Sequence, residues 1–344
     1  MEKPGMNRRQ FVGAALGATA AALSPAVFGN PAARAQEDSP GIKVGLYSIT
    51  YLGVWYRGPA LTLEELIQRA KKYGYDGIEI DGKRPHGNPL DMPTRRCKEI
   101  RSRAEGEGIE IYGVAANNDF SSPITEHREC QILYVRELIR EASDLGATTV
   151  RVFLGWPGVT QHDHSASYDI SRPLWRTAHR GIPRERTWAW CREALIECAH
   201  YAGDTGVTLA LQNHKPVIEK YTDVLRMVKE VDSPHLNVSL DAPLLTVKTP
   251  EYIRKAALDV GSVQVLSHFG GEYKREPDGK VHGESFYTPF INAMKEIGYE
   301  SYMSYELCHP LPKVNGRTVG IEYADQCAEL AQEFMRGLIQ SVSA

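Results

Sequence analysis

The chain lacks paired cysteines. Its six, Cys97, Cys130, Cys191, Cys198, Cys308 and Cys327, form no C-x-x-C motif, which removes the sequence basis for a zinc knuckle or a thioredoxin-like redox pair. Most lie in helix-like segments among apolar residues and read as buried thiols; one disulfide is open to them in an oxidising compartment. No basic stripe is present. With 40 Lys and Arg against 43 Asp and Glu, the net charge is −3, a poor match to nucleic acid. Beyond the N-terminal segment no stretch stays apolar over the ~20 residues that a bilayer span requires. No glycine-rich phosphate loop of the P-loop type occurs, and no internal repeat is evident. What is there is a globular composition, 42% hydrophobic and 24% charged. The 344 residues suit one large α/β barrel or two ordinary domains, and bury a core without staples.

The first 35 residues differ in kind. Asn7-Arg8-Arg9-Gln10-Phe11-Val12 carries a twin arginine, the weakly apolar run "GAALGATAAAL" follows, and Ala33-Arg34-Ala35 offers an A-x-A cleavage site. This is the pattern of a twin-arginine export signal, removed on maturation. It predicts a periplasmic or secreted protein, exported folded, with no stable membrane insertion afterwards. The alternative is an N-terminal anchor, for which the apolar run is short. Removing residues 1–35 leaves 36 basic and 42 acidic residues.

From residue 36 to 344 the chain reads as one domain. Strand-like runs at 43–49, 77–80, 109–114, 149–155, 207–213, 236–241, 263–268 and 302–307 alternate with helical patterns at about 63–73, 94–107, 126–145, 185–204, 221–231, 250–258, 287–297 and 322–336. Thr62 with Glu65 three residues on forms a capping box. Gly74, Gly108, Gly146, Gly206 and Gly298 close helices. Eight β–α units predict a parallel sheet closed as a (β/α)8 TIM barrel, with a doubly wound open sheet as the alternative. One connection, at about 156–183, is a long loop insertion of the kind that forms lids or binding loops.

In such a barrel the chemistry sits at the C-terminal ends of the strands. Those ends carry Glu79 and Asp81, then Asn117, Asn118 and Asp119, then Arg151 and Trp156, Gln212 and His214, Asp241, His268, and Glu306 with His309. Taken singly each has a bland reading, as a helix cap or a hydrogen-bonded core residue. Together Gln212, Asp241, His268 and Glu306, from four successive strands, combine oxygen and imidazole donors that suit one divalent ion: Mn, Co, Mg or Zn. Four protein ligands would leave an octahedral ion open to substrate.

Several stretches carry a resemblance: "AKKYGYDGIEI" (70–80), "NDFSSP" (118–123), "ASDLGATTVRVFLG" (142–155), "LALQNH" (209–214), "SPHLNVSLDA" (233–242) and "NAMKEIGYESYMSYEL" (292–307). The chain resembles the xylose isomerase-like TIM barrel superfamily of sugar phosphate isomerases and epimerases over nearly its whole length after the leader. The resemblance implies that Asp241, His268 and Glu306 are metal ligands and that Gln212 stands where the family carries a metal-binding Glu. It also implies that the strand-five and strand-eight glutamates act as acid and base on opposite faces of the substrate. Glu306 can do so; Gln212, an amide, does not titrate in the working range. Where the epimerases tend to place a His after the strand-six Asp, this chain has "DAPLL". His214, or His162, His164 or His179 from the long loop, would have to supply the missing group.

These readings predict a divalent-metal-dependent enzyme, isomerase- or epimerase-like, that moves a proton next to the carbonyl of an unphosphorylated sugar, keto-sugar or cyclitol. Glu306 and His214 are the expected catalytic residues. Glu79, Asn117, Arg151, Trp156, Lys215 and His309 are the expected substrate contacts. Alternatives are a metal-dependent lyase acting by β-elimination on 3-keto-glycosides, a nuclease resembling endonuclease IV, and a non-catalytic carbohydrate-binding barrel. The expected partner is a small-molecule carbohydrate rather than nucleic acid, and a homo-oligomer is compatible with the sequence.

Overall fold

The computed structural model describes residues 41–162 and 165–342. The export signal read in residues 1–35, and His164 of the long loop, lie outside them. Eight parallel strands form the fold's centre: β1 Lys43–Tyr47, β2 Gly77–Asp81, β3 Glu110–Ala115, β4 Thr149–Val152, β5 Thr208–Gln212, β6 Leu236–Ser239, β7 Gln264–Gly270 and β8 Tyr302–Glu306. They pair in chain order, and β8 pairs back onto β1 with Ser304 opposite Gly45, so the sheet is a closed barrel. The open-sheet alternative is thereby excluded. Helices α1 Leu63–Tyr73, α2 Thr94–Glu107, α3 Thr125–Leu145, α5 Arg184–Thr205, α6 Tyr221–Val231, α7 Pro250–Val260, α8 Tyr287–Glu296 and α9 Ile321–Ser341 follow the strands one by one. None of the described helices is long and apolar enough to cross a membrane.

Local chemistry sets the helix ends. The Thr62 hydroxyl accepts from the Glu65 amide, and the Glu65 carboxylate accepts from the Thr62 amide, a capping box at the start of α1. Gly74, Gly108, Gly146 and Gly206 end α1, α2, α3 and α5 in the left-handed conformation that only glycine adopts without strain.

Alternation along the strands builds the barrel interior in layers. A lower layer holds Tyr112, Ala210, Leu266 and Tyr302, with the two tyrosine rings stacked at 3.7 Å. Gly45 and Gly77 are required here, because a Cβ at either position would collide with the Tyr112 ring. Two residues further along their strands, Gly77 gives way to Glu79, Ala210 to Gln212, Leu266 to His268 and Tyr302 to Ser304. All four of these polar residues are buried, and Arg151 of β4 joins them. The barrel thus changes from apolar to ionic within one period of the pleat.

Among its described residues, the long connection after β4 carries regular structure. It contains a small hairpin, Thr160–His162 against Ser165–Ser167, and a short helix α4, Ser171–Ala178. It is fastened to the loop after β3: Trp175 Nε1 donates to Ser121 Oγ (3.0 Å), and His179 Nε2 donates to the Ser121 carbonyl (2.8 Å). The Trp175 and His179 rings stack at 3.8 Å.

One buried carboxyl serves no visible contact. Glu141 of α3 is fully buried, and among the described residues neither of its oxygens has a hydrogen-bond partner. Burial lifts its carboxyl from 4.5 to about 9. A carboxyl raised in the folded state stabilises most below its unfolded value near 4.5 and loses that contribution as pH climbs through about 9. Glu141→Gln is expected to flatten this slope. In urea unfolding the variant should gain on the wild type by a few kcal/mol, as an order of magnitude, between about pH 5 and about pH 9. An unchanged difference at the two pH values would show that Glu141 is ionised in the fold.

Candidate active site

The polar layer is a closed ring of five side chains. Arg151 Nε donates to Glu79 Oε1 (3.1 Å), and Arg151 Nη1 donates to Gln212 Oε1 (3.0 Å). The Gln212 amide nitrogen donates in turn to Asp241 Oδ2. Asp241 accepts from His268 Nδ1 (3.2 Å), and His268 Nε2 closes the ring on Glu79 Oε2 (2.7 Å). The five come from β2, β4, β5, the end of β6 and β7. Neighbours saturate the remaining valences: Ser304 Oγ donates to Glu79 Oε2 (3.2 Å), and the His268 backbone N–H donates to Asp241 Oδ1 (2.8 Å). Asn213 holds the Asp241 backbone from both sides, accepting its N–H (2.9 Å) and donating to its carbonyl (3.2 Å).

Charge explains why the ring persists in a dry interior. Burial alone would lift the Glu79 carboxyl, but His268 and Arg151 outweigh it and hold the group below the ordinary carboxylate range. Burial likewise opposes the His268 imidazolium, yet Glu79 and Asp241 overcome it and raise the ring to about 10. Two cations, Arg151 and His268, thus face two anions, Glu79 and Asp241. The guanidinium also lies 4.6 Å over the Tyr47 ring and 5.2 Å over Phe153, contacts that favour a weakly hydrated cation.

Above the ring opens a cavity of about 270 Å³ at the C-terminal mouth of the barrel. Its wall is aromatic, from Trp55, Phe153, Trp156 and Tyr168, with Lys83, Asn117 and Arg172 as polar contributors. Arg151, Gln212, His214 and Glu306 also face it. Among the described residues Glu306 makes no side-chain hydrogen bond to a nitrogen or oxygen donor; burial raises its carboxyl, against the pull of His268 and Arg151. His214 packs edge-on to Trp156 (4.9 Å) and Phe153 (5.1 Å), and its Nδ1 bonds the Lys215 carbonyl. Burial lowers it to about 4, so the imidazole is neutral, with its proton on Nδ1 and a lone pair on Nε2.

The expected site residues distribute as follows. Gln212, Asp241 and His268 meet in the ring, and Glu306 lines the cavity above it. Arg151, Asn117, Trp156 and His214 line the cavity too. Glu79, expected as a substrate contact, lies buried within the ring. Lys215 is exposed and its side chain does not line the cavity. His309 is drawn aside by Glu272 (3.1 Å) and does not line the cavity either. Of the loop histidines, His162 sits at the exposed hairpin beside Ser167 (3.2 Å), and His179 anchors the loop. Sequence reasoning missed Tyr47, Trp55, Phe153, Tyr168, Arg172 and Cys308. The first four look like ordinary core aromatics until the barrel and its docked loop are assembled.

The donor set bears on the expected divalent ion. Gln212 spends its oxygen on Arg151 and presents N–H, not oxygen, to Asp241. His268 faces a carboxylate at each of its ring nitrogens. Among the described residues no group of three or more His, Cys, Asp and Glu side chains is arranged to hold a metal. As arranged, these residues do not fit a resident divalent ion.

Comparison with known proteins places this geometry in context. A family model described as xylose isomerase-like TIM barrel matches residues 67–338. Fructoselysine 3-epimerase of Shigella flexneri is 25% identical over 261 residues, covering 72% of this chain and 86% of that protein. Among solved structures, a D-psicose 3-epimerase in the presence of D-fructose aligns with TM-score 0.66 at 17% identity, over 87% of this chain and 99% of that one. A 3-keto-D-glucoside 4-epimerase from E. coli aligns with TM-score 0.61 at 15% identity, over 84% and 99%. At these identities the solved structures speak for the fold.

Removing one partner of a buried pair leaves the other charge uncompensated. Arg151→Met is expected to cost about 3–5 kcal/mol in urea unfolding, and adding Glu79→Gln to recover a substantial part of that loss. Additive losses in the double variant would show that the two side chains are not coupled.

Proposed function

The chain belongs to the xylose isomerase-like TIM barrel family, whose model spans most of it, and on that premise we propose that it is a sugar isomerase- or epimerase-type enzyme. Its reaction moves a proton on a carbon next to the carbonyl of an unphosphorylated keto-sugar. The observation that carries this reading is the placement of Glu306: a carboxyl without a nitrogen or oxygen donor among the described residues, facing a cavity that also presents a fixed guanidinium and an aromatic wall. The aromatic faces suit the C–H faces of a sugar. The volume suits one monosaccharide unit. The names of the relatives, fructoselysine 3-epimerase and D-psicose 3-epimerase, support the same class of chemistry. Export through the leader read in residues 1–35 would bring the enzyme to free sugars and glycosides rather than sugar phosphates.

The chemistry follows from these positions. A keto-sugar on the aromatic wall directs its carbonyl oxygen to the ring. Glu306, as carboxylate, takes the proton from the adjacent carbon; the C–H electron pair moves into the carbon–carbon bond, and the carbonyl oxygen becomes an enediolate oxygen. The fixed positive charge beneath stabilises that oxygen without reorganising. Reprotonation by Glu306 on the same face, at the neighbouring carbon, gives isomerisation. Protonation from the other face gives epimerisation: neutral His214 takes the proton on its Nε2, and Glu306, entering as the carboxylic acid that burial favours, delivers its own proton to the opposite face. Because Gln212 cannot titrate, a one-carboxyl reaction also stands as a second reading: expulsion of the β-substituent from the carbanion, elimination from a 3-keto-glycoside.

Incubation with ketohexoses and 3-keto-glucosides in D2O, followed by NMR, tests this directly. The expected result is deuterium wash-in at the carbon next to the carbonyl, with product structure separating isomerisation, epimerisation and elimination. Glu306→Gln should slow wash-in about 10²–10⁴-fold with an unchanged melting temperature. A normal rate in that variant would remove Glu306 from the proton transfer.

A further inference from the structure

We propose that the Arg151 guanidinium occupies the place of a catalytic divalent ion, so that the site works as a metal-independent one with a built-in cation. The inference rests on the proposed function for its catalytic meaning and on the ring alone for its structural content.

Three observations carry it. Arg151 is almost fully buried, 3% exposed, and its guanidinium bridges Glu79 and Gln212 at 3.1 and 3.0 Å while bordering the cavity. It therefore stands among the side chains that would have to surround an ion. Next, three of the four expected ligands, Gln212, Asp241 and His268, already spend their polar atoms on one another and on Arg151 and Glu79. The Gln212 oxygen accepts from Arg151, Asp241 Oδ2 accepts from Gln212 and His268, and both His268 nitrogens face carboxylates. A divalent ion would have to break these bonds and sit against a permanent positive charge.

The third observation is the amide itself. Position 212 lies between a guanidinium, which only donates, and a carboxylate, which only accepts. Only a side chain with an acceptor at one end and a donor at the other joins them. Glutamine does so, its oxygen to Arg151 and its nitrogen to Asp241. A glutamate would satisfy Arg151 but would set a second carboxylate against Asp241 with no hydrogen between them. Gln212 is thus the residue that an arginine-centred ring demands at this position, not a metal ligand that has lost its charge. In the reaction, Arg151 is then the catalytic group that receives the carbonyl oxygen, since the residue borders the cavity and keeps N–H groups beyond the two it gives to Glu79 and Gln212. Lysine could not replace it, having no planar fork to hold Glu79 and Gln212 together.

Metal binding decides the matter without a known substrate. The purified full chain is treated with chelator, dialysed and titrated with Co²⁺, followed by visible absorption and elemental analysis. The wild type is expected to take up no ion at this site. The double variant Arg151→Met with Gln212→Glu, refolded with Co²⁺ present, is expected to bind one ion per chain, at least about 100-fold more tightly than the wild type. Uptake of one ion per chain by the wild type, lost on His268→Ala, would overturn the proposal whatever the variant does. Failure of a folded double variant, judged by its near-UV circular dichroism, to bind Co²⁺ would overturn it as well. If the double variant does not fold, the wild-type titration still decides. Once a sugar substrate is in hand, full activity after chelation and loss of activity in Arg151→Lys are the expected results. Absence of any sugar substrate would count against the proposed function, and the titration would stand apart from it.

Discussion

Five hydrogen bonds that close on themselves hold the mouth of this barrel in one arrangement. Arg151, Glu79, His268, Asp241 and Gln212 alternate donor and acceptor around the ring, and each comes from a different strand or strand end. No member can turn without stranding a buried charge or a buried amide, and in a low-dielectric interior that is costly. The ring therefore fixes the strand ends relative to one another. It also bears on where Glu306 and His214 stand above it: Glu306 sits two residues beyond Ser304 on β8, and His214 two residues beyond Gln212, just past the end of β5. The lower, apolar layer of stacked Tyr112 and Tyr302 supports the ring from beneath.

The ring also divides labour within the site. Below, charges are paired and neutralise one another. Above, two groups that face the cavity keep a free site: a carboxyl raised by burial, and an imidazole kept neutral by burial, with Nδ1 held by the Lys215 carbonyl and Nε2 open. Arg151 belongs to both levels, holding Glu79 and Gln212 in the ring while bordering the cavity. The docked connection after β4 completes the enclosure. Tyr168 and Arg172, stacked on each other at 4.0 Å, bring an aromatic face and a cation to the rim, and Trp175 and His179 fasten the segment to Ser121.

Much of the fold was legible in the sequence, and for specific reasons. Thr62 with Glu65, and the glycines at 74, 108, 146 and 206, mark helix ends through local chemistry that tertiary packing does not override. The polar ends of the strands singled out Gln212, Asp241, His268 and Glu306 only as a set, because each alone could cap a helix or satisfy the core. What a one-dimensional reading could not supply was the pairing among them. That Arg151 on β4 reaches across to Gln212 on β5 follows from register, and that Glu79 on β2 meets His268 on β7 follows from closure across the barrel. The aromatic wall was hidden for a related reason: Trp55 and Phe153 look like core until the cavity forms beside them. His309 illustrates the opposite error, a polar residue near a strand end that a surface carboxylate, Glu272, draws away.

The most direct measurement is anomalous diffraction from crystals of the mature protein grown with Mn²⁺, with data collected at the manganese edge. An arginine-centred site predicts no anomalous peak among Gln212, Asp241, His268 and Glu306, with the Arg151 guanidinium held between Glu79 and Gln212. A peak bound by those four side chains, with Arg151 displaced from Gln212, would contradict it and return the site to metal-assisted chemistry.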